Sequence, residues 1–220
     1  GLRDRIGGIV GKLAGSGREL LESQGVRIIE GVGALADPHT VRATTTAGDE
    51  AAEAMMKRQA AEIDAESGVY KRDVIEQARV RLQDQAHAQH ASLAIMRIGI
   101  DKFEAIPPAA VAACVQAVVD LIREEVDYGD VIGRVSRDEF LVLMPGRKLG
   151  VARELADRLC ALAATLASPV GRLTLSIGVT ASQPGERGGN PLMSERGTLA
   201  LSKARQYGGN QVQVVGSTTV

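Results

Sequence analysis

Apolar and polar positions along this chain switch between two periods, and the switches mark its elements. Apolar residues recur at helical spacing over Tyr70–Ala88, Pro107–Val126, Lys148–Ala167 and Glu195–Tyr207, and each stretch predicts a helix. The second opens on proline, where a missing N–H costs little. Short apolar or alternating runs predict strands over Ser92–Gly99, Asp130–Val135, Glu139–Met144, Arg172–Thr180 and Asn210–Val215. Only Ser136-Arg137-Asp138 separates the second strand from the third, which predicts a β-hairpin. Gly185–Pro191 predicts a polar, glycine-rich loop. The order α-β-α-β-β-α-β-α-β contains a βαββαβ heart, which predicts an α+β fold of the ferredoxin-like or palm-like kind, a central antiparallel sheet flanked by helices.

Residues 1–62 follow another pattern and are expected to form a small appendage ahead of a main domain at 63–220. Leu2–Gln24 has helical spacing, weakened by five glycines at up to about 1 kcal/mol each. Val26–Ile29 and Thr40–Thr46 predict two short strands around the turn Ala36-Asp37-Pro38. Glu50–Ile63 predicts a strong helix, placed either to pack simply or to pass a signal and pair with its own copy. Gly31-Val32-Gly33-Ala34-Leu35-Ala36 fits a dinucleotide-binding G-x-G-x-x-A, but Asp37-Pro38 follows where a helix should begin, so a turn is expected instead. Gly188-Gly189-Asn190 is read as a connector for the same lack of context.

Composition narrows the function. The net charge of −1 leaves no basic excess for bulk nucleic acid or an anionic membrane. Aromatics make up 2% of residues, too few for a platform that stacks single-stranded bases. Cys114 and Cys160 are far apart, which fits a reducing cytoplasm and gives no disulfide framework. His39, His87 and His90 lack zinc-ligand spacing. No apolar run reaches the ~18 residues of a membrane span. The chain begins at Gly1 rather than Met, so it is expected to be the cytoplasmic, soluble piece of a longer protein.

The hairpin Arg134-Val135-Ser136-Arg137-Asp138-Glu139-Phe140 resembles the signature of the GGDEF domains, the diguanylate cyclases. Four further segments resemble that family in the same order. Asp64–Arg72 is similar to D-x-L-T-G-L-x-N-R, and Gly99–Ile106 to D-I-D-x-F-K-x-I. Leu173–Val179 is similar to V-T-V-S-I-G-V, and Ala200–Asn210 to A-L-Y-x-A-K-x-x-G-x-N.

The resemblance implies a site for GTP in which two acidic side chains hold Mg²⁺, and the departures fall on that site. The first acidic position is Gly99 here; the second is Asp138, with Glu139 beside it. One carboxylate rarely fixes Mg²⁺ without substrate phosphates. Asp101 is the candidate replacement ligand, two residues on along the same strand face if the strand continues. Ser136 and Arg137 replace the two glycines that let a phosphate approach the backbone. The guanine-reading Asn and the Asp after it become Pro107 and Pro108, and apolar Ala109–Ala113 replaces a second guanine contact. Arg205 stands where the resemblance implies a phosphate-facing Lys, and Gly209 where it implies an Arg. The inhibitory R-x-x-D tetrad for cyclic di-GMP becomes Asp127-Tyr128-Gly129-Asp130, which reverses the gripping charge, so that site is expected to be absent.

The resemblance and its departures together imply a degenerate, non-catalytic GGDEF domain. Such a module would act through a protein partner or its own copy in bacterial cyclic-di-GMP signalling, by its linker helix or its vacated cleft. A first alternative is a receptor that binds GTP or another nucleotide through Arg137, Lys203 and Arg205 without turning it over. A second is an active cyclase with a rearranged metal site at Asp138, Glu139 and Asp101. No cofactor is expected, and Mg²⁺ only with a bound nucleotide.

Overall fold

The computed structural model describes residues 31–37, 40–45, 61–166, 168–182 and 192–216. The chain divides into two compact units, residues 1–58 and 59–220. In the first, β1 (Gly31–Asp37) pairs antiparallel with β2 (Thr40–Thr45), and the register shifts between Leu35 and Asp37. The G-x-G-x-x-A segment therefore lies within a strand, and its glycines form no phosphate loop. The predicted helix at Leu2–Gln24 and strand at Val26–Ile29 lie outside the described residues. So does most of the predicted Glu50–Ile63 helix; Ala61 and Glu62 are helical, and Ile63 instead bridges to Tyr70.

The second unit runs α1 (Arg72–Ala88), β3 (Leu93–Ile100), a 3₁₀ turn (Phe103–Ala105), α2 (Pro108–Glu125), β4 (Val131–Arg134) and β5 (Glu139–Pro145). It continues with α3 (Leu149–Ala163), β6 (Leu175–Ala181), α4 (Leu192–Gln206) and β7 (Gln211–Val214). The five strands order as β4-β5-β3-β6-β7. All neighbours pair antiparallel except β6 and β7, which are parallel. The sheet is therefore mixed rather than wholly antiparallel: α4 carries the chain back across the sheet before β7, as a parallel pair requires. The first helix starts at Arg72 and not Tyr70, because Tyr70 bridges to Gly133 on β4 and its carbonyl accepts from the Arg134 N–H at 2.8 Å. The predicted loop at Gly185–Pro191 lies outside the described residues.

The central strands are apolar on both faces because helices cover both. From β3, Ala94, Met96, Ile98 and Ile100 enter a core with α2 and α3; Leu93 and Ile95 enter another with Ile75 of α1 and Met193 of α4. β5 alternates the same way: Phe140, Val142 and Met144 join the first core, Leu141 and Leu143 the second. This period of two puts Arg97 and Gly99 of β3 and Glu139 of β5 on the α1/α4 face. There the apolar cover ends and the charged end of the sheet begins. Cys114 and Cys160 are buried free thiols. Burial, with Asp101 and Asp157 adding to it, pushes the Cys160 thiol up to about 12. Among the described residues no helix is long and apolar enough to cross a membrane.

Candidate functional site

The signature hairpin is set by Arg134, whose side chain is 8% exposed. Its guanidinium donates to Asp64 at 3.2 Å and Glu66 at 2.5 Å, and to the carbonyls of Ser136 at 3.2 Å and Arg137 at 2.6 Å. The Ser67 N–H and hydroxyl donate to the Asp64 carboxylate, and Gly68 closes that turn with φ of +67°. One arginine thus joins the leading Asp64–Gly68 turn to the hairpin tip. Asp64 and Arg134 are not among the expected site residues; the signal for them is their presence in two of the five segments that resemble the family.

At the hairpin tip Asp138 and Glu139 both face Arg205 from the last turn of α4. Arg205 Nη2 donates to Asp138 Oδ2 at 2.6 Å, and Nη1 to Glu139 Oε1 at 2.8 Å. Arg97 lies 3.6 Å from the other Glu139 oxygen, and the Ser136 hydroxyl donates to Asp138 at 2.9 Å. The guanidinium lies over Gly99: a Cβ there would come within 2.4 Å of Nη2 and 2.9 Å of Cζ. Within the expected cleft the space over Gly99 is filled by this side chain, and the positive charge read as phosphate-facing is paired internally.

The remaining candidate residues are dispersed. Asp101 lies just beyond β3 and accepts from the Thr174 and Ser176 hydroxyls and the Asn210 N–H, at 2.8, 2.6 and 2.8 Å. Its carboxylate ties the end of β3 to β6 and to the start of β7 and does not join Asp138 and Glu139. Arg137 points outward, over the Phe103 ring at 5.5 Å and 3.8 Å from the exposed Glu104. Lys203 precedes Arg205 by two residues, about 200° around the helix, and lines neither groove beside the hairpin. Phe140 is fully buried core. Asp127 and Asp130 both pair with Arg147, Asp130 at 3.0 Å, so the altered tetrad holds a cation of its own. Next to Arg205 an open groove of about 970 Å³ runs between Lys102–Pro107 and Pro169–Thr174. Among the described residues, Lys102 and Arg172 on its rim make no ion pair.

A family model described as the diguanylate cyclase GGDEF domain matches residues 61–211. The chain belongs to the GGDEF domain family. Its fold is shared with the GGDEF domain of DgcB from Caulobacter crescentus, solved with c-di-GMP, at 19% identity and a TM-score of 0.64 over 70% of this chain and 95% of that one. It is shared too with the diguanylate cyclase SiaD from Pseudomonas aeruginosa, solved with its activator SiaC: 19% identity and a TM-score of 0.66 over 98% of this chain and 76% of that one. The FimX GGDEF domain of the same organism gives 17% identity and a TM-score of 0.63 over 71% and 99%. At such identities the likeness is one of fold. No curated protein matches the chain. The Mg²⁺ implied for GGDEF domains does not fit the residues present in this one. Gly99 stands at one of the two acidic positions, and the arginine over it donates to the carboxylates of Asp138 and Glu139.

Two carboxylates of this GGDEF domain titrate in opposite senses. Burial would raise Asp64, but hydrogen bonds from Ser67 and Arg134 and the charge of Arg134 outweigh it and hold the carboxyl below its ordinary value. Burial raises Asp130, and the Asp127 N–H and Arg147 offset only part of it. Stability from Asp64 is thus present above the ordinary carboxylate value and lost as pH falls through its folded value. The cost at Asp130 is present near neutral pH and relieved as pH falls through its raised value. The urea midpoint, followed from about pH 7 to about pH 3, should fall less steeply in Asp64→Asn than in the wild type, and more steeply in Asp130→Asn.

Proposed function

We propose that this GGDEF domain makes no cyclic di-GMP and serves cyclic-di-GMP signalling as a regulatory module read by a protein partner. One observation carries this reading: the Arg205 guanidinium takes the space above Gly99 and pairs with both signature carboxylates. Nucleotidyl transfer depends on metal positioning and charge neutralisation, and a fixed arginine there competes with the metal instead of binding it. Pro107 and Pro108 support the reading, since neither offers a polar side chain to a base. The pairing of SiaD with SiaC supports a protein partner. The groove of about 970 Å³, with Lys102 and Arg172 on its rim unpaired among the described residues, favours a second reading, a nucleotide receptor without turnover.

Calorimetry with Mg²⁺, titrating GTP and cyclic di-GMP separately and analysing the GTP cell for product, tests both. The expected result is no heat and no product. Heat with GTP but no product would favour the receptor. Cyclic di-GMP in the GTP cell would overturn the proposal.

A further inference from the structure

Two adjacent carboxylates at a hairpin tip repel each other, and a cation between them offsets that repulsion. Arg205 supplies it, from a helix that follows the hairpin by more than fifty residues in the sequence. The support is built on both sides. Arg97 approaches the far oxygen of Glu139, and the Ser136 hydroxyl holds the far oxygen of Asp138. Nη2, Cζ and Nε of Arg205 would all lie within 3.0 Å of a Cβ at position 99, so the guanidinium rests against the Gly99 backbone. Gly99 has an ordinary strand conformation, paired with Glu139 and Ser176. The backbone there does not require glycine, and the three atoms nearest to a Cβ at that position all belong to Arg205. We infer that Arg205 is a built-in cation for the Asp138–Glu139 pair, admitted only because position 99 has no side chain, and that it closes the hairpin onto α4 in place of any divalent ion.

The inference deepens the non-cyclase reading and rests on it, but its test reads stability and metal binding, so each can fail alone. The melting temperature of the whole chain is followed in four forms: wild type, Gly99→Ala, Arg205→Ala and the double variant. With Arg205 present, the added methyl displaces the guanidinium from its carboxylates, and Gly99→Ala should lower the melting point by about 2–4 °C. With Arg205→Ala in place, the same methyl should shift it by less than about 1 °C. Equal shifts in both backgrounds would overturn the inference. If Gly99→Ala fails to fold, recovery of folding in the double variant supports the inference and its failure overturns it. Millimolar Mn²⁺ against EDTA should leave the wild-type melting point unchanged. Gly99→Asp combined with Arg205→Ala, which offers three carboxylates and no arginine, should gain about 3 °C with Mn²⁺ at ten times its Kd. A wild type stabilised by Mn²⁺ as strongly as that variant would overturn it as well.

Discussion

Gly178→Ala is expected to lower stability by about 3 kcal/mol, or about 6–12 °C in melting temperature. Gly178 lies in the middle of β6, where α4 crosses the sheet. A Cβ there would come within 2.3 Å of the Leu201 nitrogen and 2.6 Å of the Gly197 carbonyl oxygen. These are backbone atoms of a helix that also packs Ala200, Leu201 and Ala204 inward, so no rotamer change can clear the space. The helix must rise off the strand, and buried contacts along its length open with it. Gly197→Ala is the control: its Cβ would meet only the Thr180 methyl, at an ordinary 3.8 Å. That variant should be neutral or gain up to about 1 kcal/mol from helix propensity. Urea unfolding of both, with unchanged m-values, separates close approach from any general intolerance of substitution.

Arg134→Met should cost about 3 kcal/mol, the scale of breaking a buried ion pair by removing one partner. Methionine keeps much of the stem packing but removes all four donations. The Ser136 and Arg137 carbonyls then lose their donor, and Asp64 keeps only its Ser67 bonds. In a cycle with Asp64→Asn the pair should show a coupling of roughly 1–2 kcal/mol. Less than about 0.3 kcal/mol would mean that Arg134 acts through Glu66 and the hairpin carbonyls and not through Asp64. Amide exchange at Ser136–Asp138 gives a local readout, since the hairpin tip loses its fixed carbonyls while the strands remain paired.

The fold was legible because the strands carry a period of two and the helices a wider stripe, and those periods answer to burial alone. The parallel pairing of β7 was not, since it depends on where α4 leaves the chain after crossing the sheet. At the site, single positions read clearly: Gly99 cannot ligate, and Pro107 cannot read a base. What fills the gap was not legible, because it depends on the reach of one arginine from a distant helix. Arg205 looked like a phosphate ligand by its place in its own segment, and only the packing of α4 on β6 turns it toward Asp138 and Glu139. Asp101 looked like a spare metal ligand for the same reason; its three hydrogen-bond donors come from segments more than seventy residues away.

The two buried thiols have a practical consequence. Cys114 is fully buried in α2, and the Cys160 thiol, pushed up to about 12, is almost entirely protonated in neutral buffer. Thiol-directed reagents attack the thiolate, so neither residue competes for a label while the domain stays folded. A single cysteine placed at the fully exposed Tyr128 would take up a nitroxide or fluorophore alone, with no background substitutions. Because Tyr128 sits between Asp127 and Asp130 beside Arg147, that probe would report on the altered tetrad in an otherwise unmodified chain.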